Sequence, residues 1–232
     1  MRHTFFTGLG TREQNEDVIL IEKFSQSSTL YLIVDGMGGY EKGEVAAKLV
    51  AENIATYLRT ASELNTAAVQ TAVNKSNLAV RQYNEANGIS SGATLGGVLL
   101  IGISALCFWL GDVKVYHIQS NKLLRESQSH SLLNEMSDEN FTKSAENRRR
   151  YGHIVTRSVS GKRENTTLDS FQIDNLSAQD SLIICSDGVH NTMSIEHIQL
   201  LLGSPEPTSE IQEYLNIHAK DNFSWIYCEV QN

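Results

Sequence analysis

Leu30-Tyr31-Leu32-Ile33-Val34-Asp35-Gly36-Met37-Gly38-Gly39 decides how this chain is read, together with a later echo, Ile184-Cys185-Ser186-Asp187-Gly188. Each is a short apolar run closed by Asp-Gly, and an apolar run of that length bounded by turn residues reads as a buried strand. Asp-Gly after a strand is ordinarily a hairpin turn, but a hairpin needs its return strand at once. Here the first Asp-Gly leads into more glycines and a helical pattern, and the second into Val189-His190-Asn191 and another helical pattern. Two carboxylates are thus placed at strand ends, where burial is costly unless the charge is paired or bound to a cation. Basic residues are scarce beside either one.

Outward from that stretch, 18–24 is β-branched and apolar and is separated from 30–34 by the polar stretch 25–29. Residues 43–61 carry Val45, Leu49, Ile54 and Leu58 at spacings near four, and 65–83 carry Val69, Val73, Val80 and Tyr83, so two helices are expected. The pattern then switches to short strands at 94–102, 104–110, 113–119 and 122–126, which read as an antiparallel meander. A polar excursion with one helix follows over 127–162, including Asn147-Arg148-Arg149-Arg150. Strands return at 167–173, 180–185 and 223–230, with helices at 195–202 and 210–219. Strands and helices in this order predict packed sheets with helices outside.

The 232 residues are 41% hydrophobic and 20% charged, an ordinary globular composition that fits one large domain. Nineteen Lys and Arg against 27 Asp and Glu leave a net charge of −8, which argues against a nucleic-acid partner but not against a cation. Cys107, Cys185 and Cys228 sit in apolar runs without metal-ligand or redox spacing, as in a reducing, cytoplasmic compartment. The N-terminus lacks a signal-peptide pattern and no run approaches 18 apolar residues, so no membrane association is expected.

Several carboxylates drawn to one place repel one another unless a divalent ion sits between them, and oxygen-only ligands select magnesium or manganese over zinc. Besides Asp35 and Asp187, the candidates are Glu16 and Asp17 in Asn15-Glu16-Asp17, Asp112 in Gly111-Asp112, and Asp221 in Asp221-Asn222. Gly36, Gly38 and Gly39 read as positions free to take positive φ and to let backbone approach a ligand. A nucleotide cradle competes poorly: G-x-G-x-x-G would need a glycine at Glu41, and no Gly-Lys-Ser/Thr is present. H-E-x-x-H, G-x-S-x-G and C-x-x-C are also missing, and the seven scattered histidines read as surface or packing residues.

Taken in order, Gly10-Thr11-Arg12-Glu13-Gln14-Asn15-Glu16-Asp17, Val34-Asp35-Gly36-Met37-Gly38-Gly39, Ser91-Gly92-Ala93-Thr94, Gly111-Asp112, Ser186-Asp187-Gly188 and Asp221-Asn222-Phe223-Ser224 resemble the metal-dependent Ser/Thr protein phosphatases of the 2C type, especially compact bacterial ones. The resemblance implies an α+β fold, a four-layer α-β-β-α sandwich of two antiparallel sheets flanked by helices. It implies one catalytic domain over 1–232 with a short flap at about 127–164, and two Mn2+ or Mg2+ ions at one end of the sandwich, with room for a third. In the family's terms Asp35 looks like the carboxylate bridging both metals and Gly36 like a carbonyl ligand. Asp187 and Asp221 look like ligands of the first metal, Glu16 and Asp17 like the pair holding metal-bound waters, and Asp112 like the partner of Asp187 at a third ion. Arg12 looks like the phosphate-binding arginine, with a surface ion pair to Glu13 or Glu16 as its plainer role.

What the resemblance implies chemically is hydrolysis of phosphoserine and phosphothreonine in proteins by in-line attack of a metal-bridging hydroxide. The implied partners are phosphorylated proteins, a Ser/Thr kinase and its substrates among them, with the chain itself monomeric. A phosphatase-fold module without activity, or a hydrolase of small phosphoesters, are the alternatives. Three departures stand out. Met37 replaces a common His and leaves the proton donor unassigned; Gly111-Asp112-Val113-Lys114 replaces Gly-Asp-Ser-Arg; and Ser129-His130-Ser131 replaces Asp-His-Ser, at a position expected to bear on substrate. Arg148, Arg149, Arg150 and Arg157 form either a dock for an acidic phosphopeptide or a plain solvated face.

Overall fold

The computed structural model describes residues 1–37, 42–136, 144–164 and 166–231, the side chains of residues 145, 148 and 149 excepted. In chain order the elements are β1 (Arg2–Gly8), β2 (Asp17–Lys23), β3 (Ser28–Met37), α1 (Gly43–Thr60), α2 (Thr66–Asn87), β4 (Gly92–Ile101), β5 (Ser104–Leu110), β6 (Lys114–Gln119) and β7 (Lys122–Glu126). There follow α3 (Leu132–Glu135), α4 (Ala145–Tyr151), β8 (Asp169–Ile173), β9 (Asp180–Cys185), α5 (Asp187–His190), α6 (Ile195–Leu202), α7 (Pro207–His218) and β10 (Phe223–Glu229).

Among the described residues the strands form two antiparallel five-stranded sheets, ordered β1-β10-β9-β6-β7 and β2-β3-β4-β5-β8. Period-two alternation decides what each face meets. On β3, Leu30, Leu32 and Val34 point to α1 and α2 and pack with Val50, Ile54, Leu58, Val69 and Val73. Tyr31 and Ile33 point the other way, into the layer between the sheets, where they meet Leu182, Ile184, Ile226 and Cys228. The outer face of the other sheet, with Phe6, Ile183, Cys185 and Trp225, is covered by Val189, Ile198, Ile211 and Leu215. This is the expected four-layer sandwich. No helix among the described residues is long and apolar enough to cross a membrane.

Several expectations are corrected. The strand carrying Asp35 runs on through Met37, pairing Asp35 with Thr94, Gly36 with Ala93 and Met37 with Gly92, so Asp35 is within the ladder near its end. The four central strands are not one meander. β4 and β5 pair in one sheet and β6 and β7 in the other, because the chain crosses between sheets at Gly111-Asp112-Val113, where Gly111 has φ 102. β1 was not predicted, yet it pairs along its whole length with β10. Among the described residues the excursion after β7 contains two short helices, where one was expected. In α1 the buried face is Ala46, Ala47, Val50, Ala51, Ile54, Ala55 and Leu58, so Val45 and Leu49 lie at its margin. α2 runs four residues past Tyr83, from a cap in which the Asn65 side chain accepts from Ala68 N (2.9 Å) to Gly88 at φ 65.

Candidate metal centre

The same alternation that sends Tyr31 and Ile33 between the sheets brings Asp35, two residues on, out at the mouth of that layer. Register then places Asp17 directly opposite it on β2. Asp112 stands in the crossing between sheets, Asp187 begins α5 immediately after β9, and Asp221 comes just before β10. Carboxylates from both sheets thus reach one opening. Arg12, Glu16, Asp35, Gly36, Met37, Thr94, Asp112, His153, Val155, Asp187, Asp221 and Asn222 line a single cleft of about 260 Å³. Of the predicted site residues only Asp17 is not on that lining; it lies buried behind Asp35.

Hydrogen bonds fix the surrounding chain. Asn222 is buried, and its amide donates to Leu9 O (3.1 Å) and Gln14 O (2.9 Å) while its oxygen accepts from Glu16 N (2.9 Å). One side chain therefore clamps the whole loop that carries Arg12 and Glu16. Ser186 is fully buried, donates to Asp17 Oδ2 (2.8 Å) and accepts from Ser224 N (2.9 Å). His190 donates from Nε2 to the backbone oxygen of Asp112 (2.9 Å), and burial pushes its imidazole down to about 4, so it is neutral. The sequence reading assigned no role to Asn222, Ser186 or His190. Their signal was their place beside the acids in the quoted motifs, but a clamp across 200 residues has no local pattern.

The two Asp-Gly pairs share one explanation, and it is not the expected positive φ. A Cβ on Gly36 would lie 2.4 Å from Gly43 O and 2.8 Å from Glu16 O, and one on Gly188 would lie 2.0 Å from Asn222 O. Neither glycine has positive φ among the described residues; each is needed because another backbone passes against it. Gly38 and Gly39 lie outside the described residues.

The electrostatics are those of crowded acids. Burial raises Asp35 well above the usual carboxylate range, and Asp17, Asp187, Asp112 and Asp221 raise it further. Burial likewise lifts Asp17 to about 6 against the bonds from Ser186 and Ser224, and lifts Asp187 to about 7 with help from Asp112 and Asp221. Asp112 and Glu16 are raised mainly by burial as well. Asp17 Oδ1 is buried without a hydrogen-bond partner. Among the described residues no three His, Cys, Asp or Glu side chains stand close enough to hold an ion as they are. The donors nonetheless fit a hard divalent cation. They are oxygens, they share one cleft, and positive charge would relieve both the raised acids and the orphaned oxygen.

Arg12 pairs with neither Glu13 nor Glu16. Its guanidinium donates to Asp221 Oδ2 (2.7 Å) at the cleft edge, with 60% of the side chain exposed. His130, in the Ser129-His130-Ser131 stretch expected to bear on substrate, packs inside the fold. It is buried, accepts at Nδ1 from Gly111 N (3.0 Å) and so braces the turn carrying Asp112. Arg157 is engaged by Glu135 (3.4 Å) and Asp169 (3.3 Å), which removes it from a free peptide dock. Arg150 is exposed beside the Tyr151 ring, and the side chains of Arg148 and Arg149 lie outside the described residues.

Comparison with known proteins agrees with this geometry. The profile of the family described as Protein phosphatase 2C matches residues 9–222. The serine/threonine phosphatase stp of Listeria monocytogenes is 28% identical over 213 residues, covering 86% of this chain and 81% of that one. The Stp1 phosphatase of Staphylococcus aureus superposes with a TM-score of 0.83 at 25% identity, over 99% of this chain and 95% of the other. The catalytic domain of the phosphatase PstP, solved in complex with 2 manganese ions, gives a TM-score of 0.83 at 24% identity, over 100% of this chain and 98% of the other. The chain belongs to the protein phosphatase 2C family, the metal-dependent protein-serine/threonine phosphatases.

Proposed function

We propose that this chain performs its phosphatase reaction in the cleft between the two sheets, with Asp35, the Gly36 carbonyl, Asp187 and Asp221 as direct ligands of two Mn2+ or Mg2+ ions. Glu16 and Asp17 would hold the ions through water, and Asp112 with Asp187 would offer a place for a third. The single observation that carries this reading is the convergence of Glu16, Asp35, Asp112, Asp187 and Asp221 with Arg12 on one cleft. When bound, the ions supply an ionised water at neutral pH and offset charge on the phosphoryl oxygens. The chain's own residues do the rest. Arg12 exchanges Asp221 for the phosphoryl group, since its planar fork matches two phosphate oxygens. Asn222 and Ser186 keep the Arg12 loop and Asp17 in place, so the groups are set before substrate arrives.

Phosphorylated proteins are the substrates, and a Ser/Thr kinase together with its targets is the natural counterpart. The reading takes residues 1–232 as one monomeric catalytic domain with a flap at about 127–164. It places the protein in the cytoplasm, with Cys107, Cys185 and Cys228 free and buried as a reducing compartment allows. Calorimetric manganese titration alongside phosphothreonine-peptide turnover tests the assignment. D35N should abolish both; a D35N protein that still binds manganese with wild-type affinity would remove Asp35 from the site.

A further inference from the structure

The cleft holds an imidazole that the reaction as described does not use. His153 lines it together with Arg12, Glu16, Asp35, Asp112, Asp187 and Asp221, and it is the one histidine among the described residues to do so. It is exposed, yet its backbone is anchored. Ile154 N donates to Tyr151 O (3.2 Å), Leu132 N donates to Ile154 O (2.8 Å), and Val155 bridges to Ser131. The position is therefore pinned at the base of the flap rather than carried on a free tip.

The chemistry leaves one task unfilled. A serine or threonine alkoxide is a strong base and leaves phosphorus readily only if it is protonated as the bond breaks. Met37, on the same cleft, has no proton to give. Arg12 stays protonated throughout, and the carboxylates are committed to cations. Imidazole is the side chain whose protonation changes near neutral pH.

We propose that His153 is the proton donor to the departing serine or threonine oxygen, an assignment that rests on the phosphatase reading above. The bond from phosphorus to the substrate oxygen breaks, a bond from phosphorus to the attacking water's oxygen forms, and the imidazolium proton of His153 passes to the leaving oxygen. The products are the free hydroxyl side chain, inorganic phosphate and neutral imidazole, and the proton shed by the attacking water restores the imidazolium through solvent. The charged groups facing His153 are Arg12, Glu16, Asp35, Asp112, Asp187 and Asp221 across the cleft, with Arg150 and Tyr151 on its own segment.

H153Q keeps a polar side chain but cannot donate a proton of suitable acidity. With saturating manganese, kcat on a phosphothreonine peptide should fall about 10²-fold or more, and the alkaline limb of the kcat profile should disappear. The loss should shrink as the leaving group improves, to about threefold or less for p-nitrophenyl phosphate, whose phenolate departs without a proton. Manganese affinity by calorimetry and the melting temperature should match wild type. An equal loss on both substrates, a change confined to KM, or unchanged peptide turnover would each overturn the assignment. Wild-type protein inactive on both substrates with manganese would instead sink the phosphatase reading on which it rests.

Discussion

Replacing Gly36 by alanine tests the claim that this site is built by backbones pressed together. The added Cβ would stand 2.4 Å from Gly43 O, 2.5 Å from Gly43 C and 2.8 Å from Glu16 O. Reaching an ordinary contact of about 3.5 Å requires a shift of roughly 1 Å. None of these atoms is the end of a flexible side chain. They belong to the start of α1 and to the loop whose Glu16 O accepts from Gly36 N (3.2 Å). Overpacking costs about 1–3 kcal/mol, and neighbours that are backbone put G36A at the upper end. For a chain of this size, about 3 kcal/mol lowers Tm by about 6–12 °C. A displacement of that size at Asp35 and Glu16 should also lower kcat by about 10²-fold and weaken manganese binding. G188A, with its Cβ 2.0 Å from Asn222 O, should behave alike. Gly88 is the control: it has φ +65 and nothing within 4 Å of a Cβ, so G88A pays only for backbone conformation, about 1–2 kcal/mol, with activity and manganese affinity intact. Thermal melts, calorimetric titration and peptide turnover on the three variants decide the matter. A G36A protein melting within about 1 °C of wild type, with unchanged manganese affinity, would refute the reasoning.

Other outcomes follow from the same contacts. R12A should change stability by no more than about 0.5 kcal/mol, because its ion pair is exposed, while kcat/KM for a phosphopeptide falls about 10²-fold; a large loss in Tm would show Arg12 to be structural. Manganese at 100 times its Kd should add about 2.7 kcal/mol of stability, read as a rise in Tm of about 5–11 °C that chelator reverses and D35N lacks. That rise should be larger at pH 7.5 than at pH 5. Asp17 is lifted to about 6 in the fold, so its contribution is whole below the ordinary carboxylate value and is lost as pH rises through about 6, when the ionised cluster has most to gain from a cation. At the opposite end of the sandwich, Asp180 accepts from Ser177 N (2.8 Å), Ser177 Oγ (2.7 Å), His117 (2.6 Å) and Gln119 (3.1 Å). Burial alone would raise its carboxyl, but these bonds outweigh burial and hold it below the usual value. That stability is in place above the unfolded carboxylate pKa and lost as pH falls through the folded one. D180A should cost about 3 kcal/mol in a denaturant titration with kcat unchanged.

Asp35, Asp187, Glu16 and Asp17 were legible because they carry local signatures, an apolar run then Asp-Gly or an acidic pair heading a strand, while Asp112 and Asp221 stood out only by lying beside predicted strands. Periodicity also placed helices at 43–61 and 65–83, against 43–60 and 66–87 in the fold, and most strands to within a few residues. What escaped was set by partners distant in sequence. β1 reads as an unremarkable N-terminus, Arg2 to Gly8, until β10 lies beside it. The crossing at Gly111 looks like any hairpin turn, since a change of sheet leaves no mark on alternation. His130 and His153 are both isolated histidines in the polar segment, yet one is buried under Gly111 and the other opens onto the cleft. Only tertiary contacts separate them: His130 is a packing residue and His153 an exposed one, as the expectation of surface or packing histidines allowed.

The placement of the acids explains why the sandwich tolerates them. A five-stranded sheet can bury Tyr31 and Ile33 against its partner, but at the end of the shared layer the facing side chains run out and the sheets leave an opening. Putting Asp35 and Asp17 in register there concentrates repulsion where no apolar contact is displaced. The surrounding clamps, Asn222 across the Arg12 loop and Ser186 on Asp17, keep that repulsion from being relieved by local rearrangement. With backbone packed hard against Gly36 and Gly188, the remaining ways to lower the energy are to protonate the cluster or to bind a cation. A site arranged in this way gives up apo stability in return for metal affinity. N222A, which loosens the clamp without removing a charge, should therefore weaken manganese binding while narrowing the Tm gap between metal-free protein at pH 5 and at pH 7.5; a variant that binds manganese as tightly as wild type would show that the clamp has no part in holding the acids together.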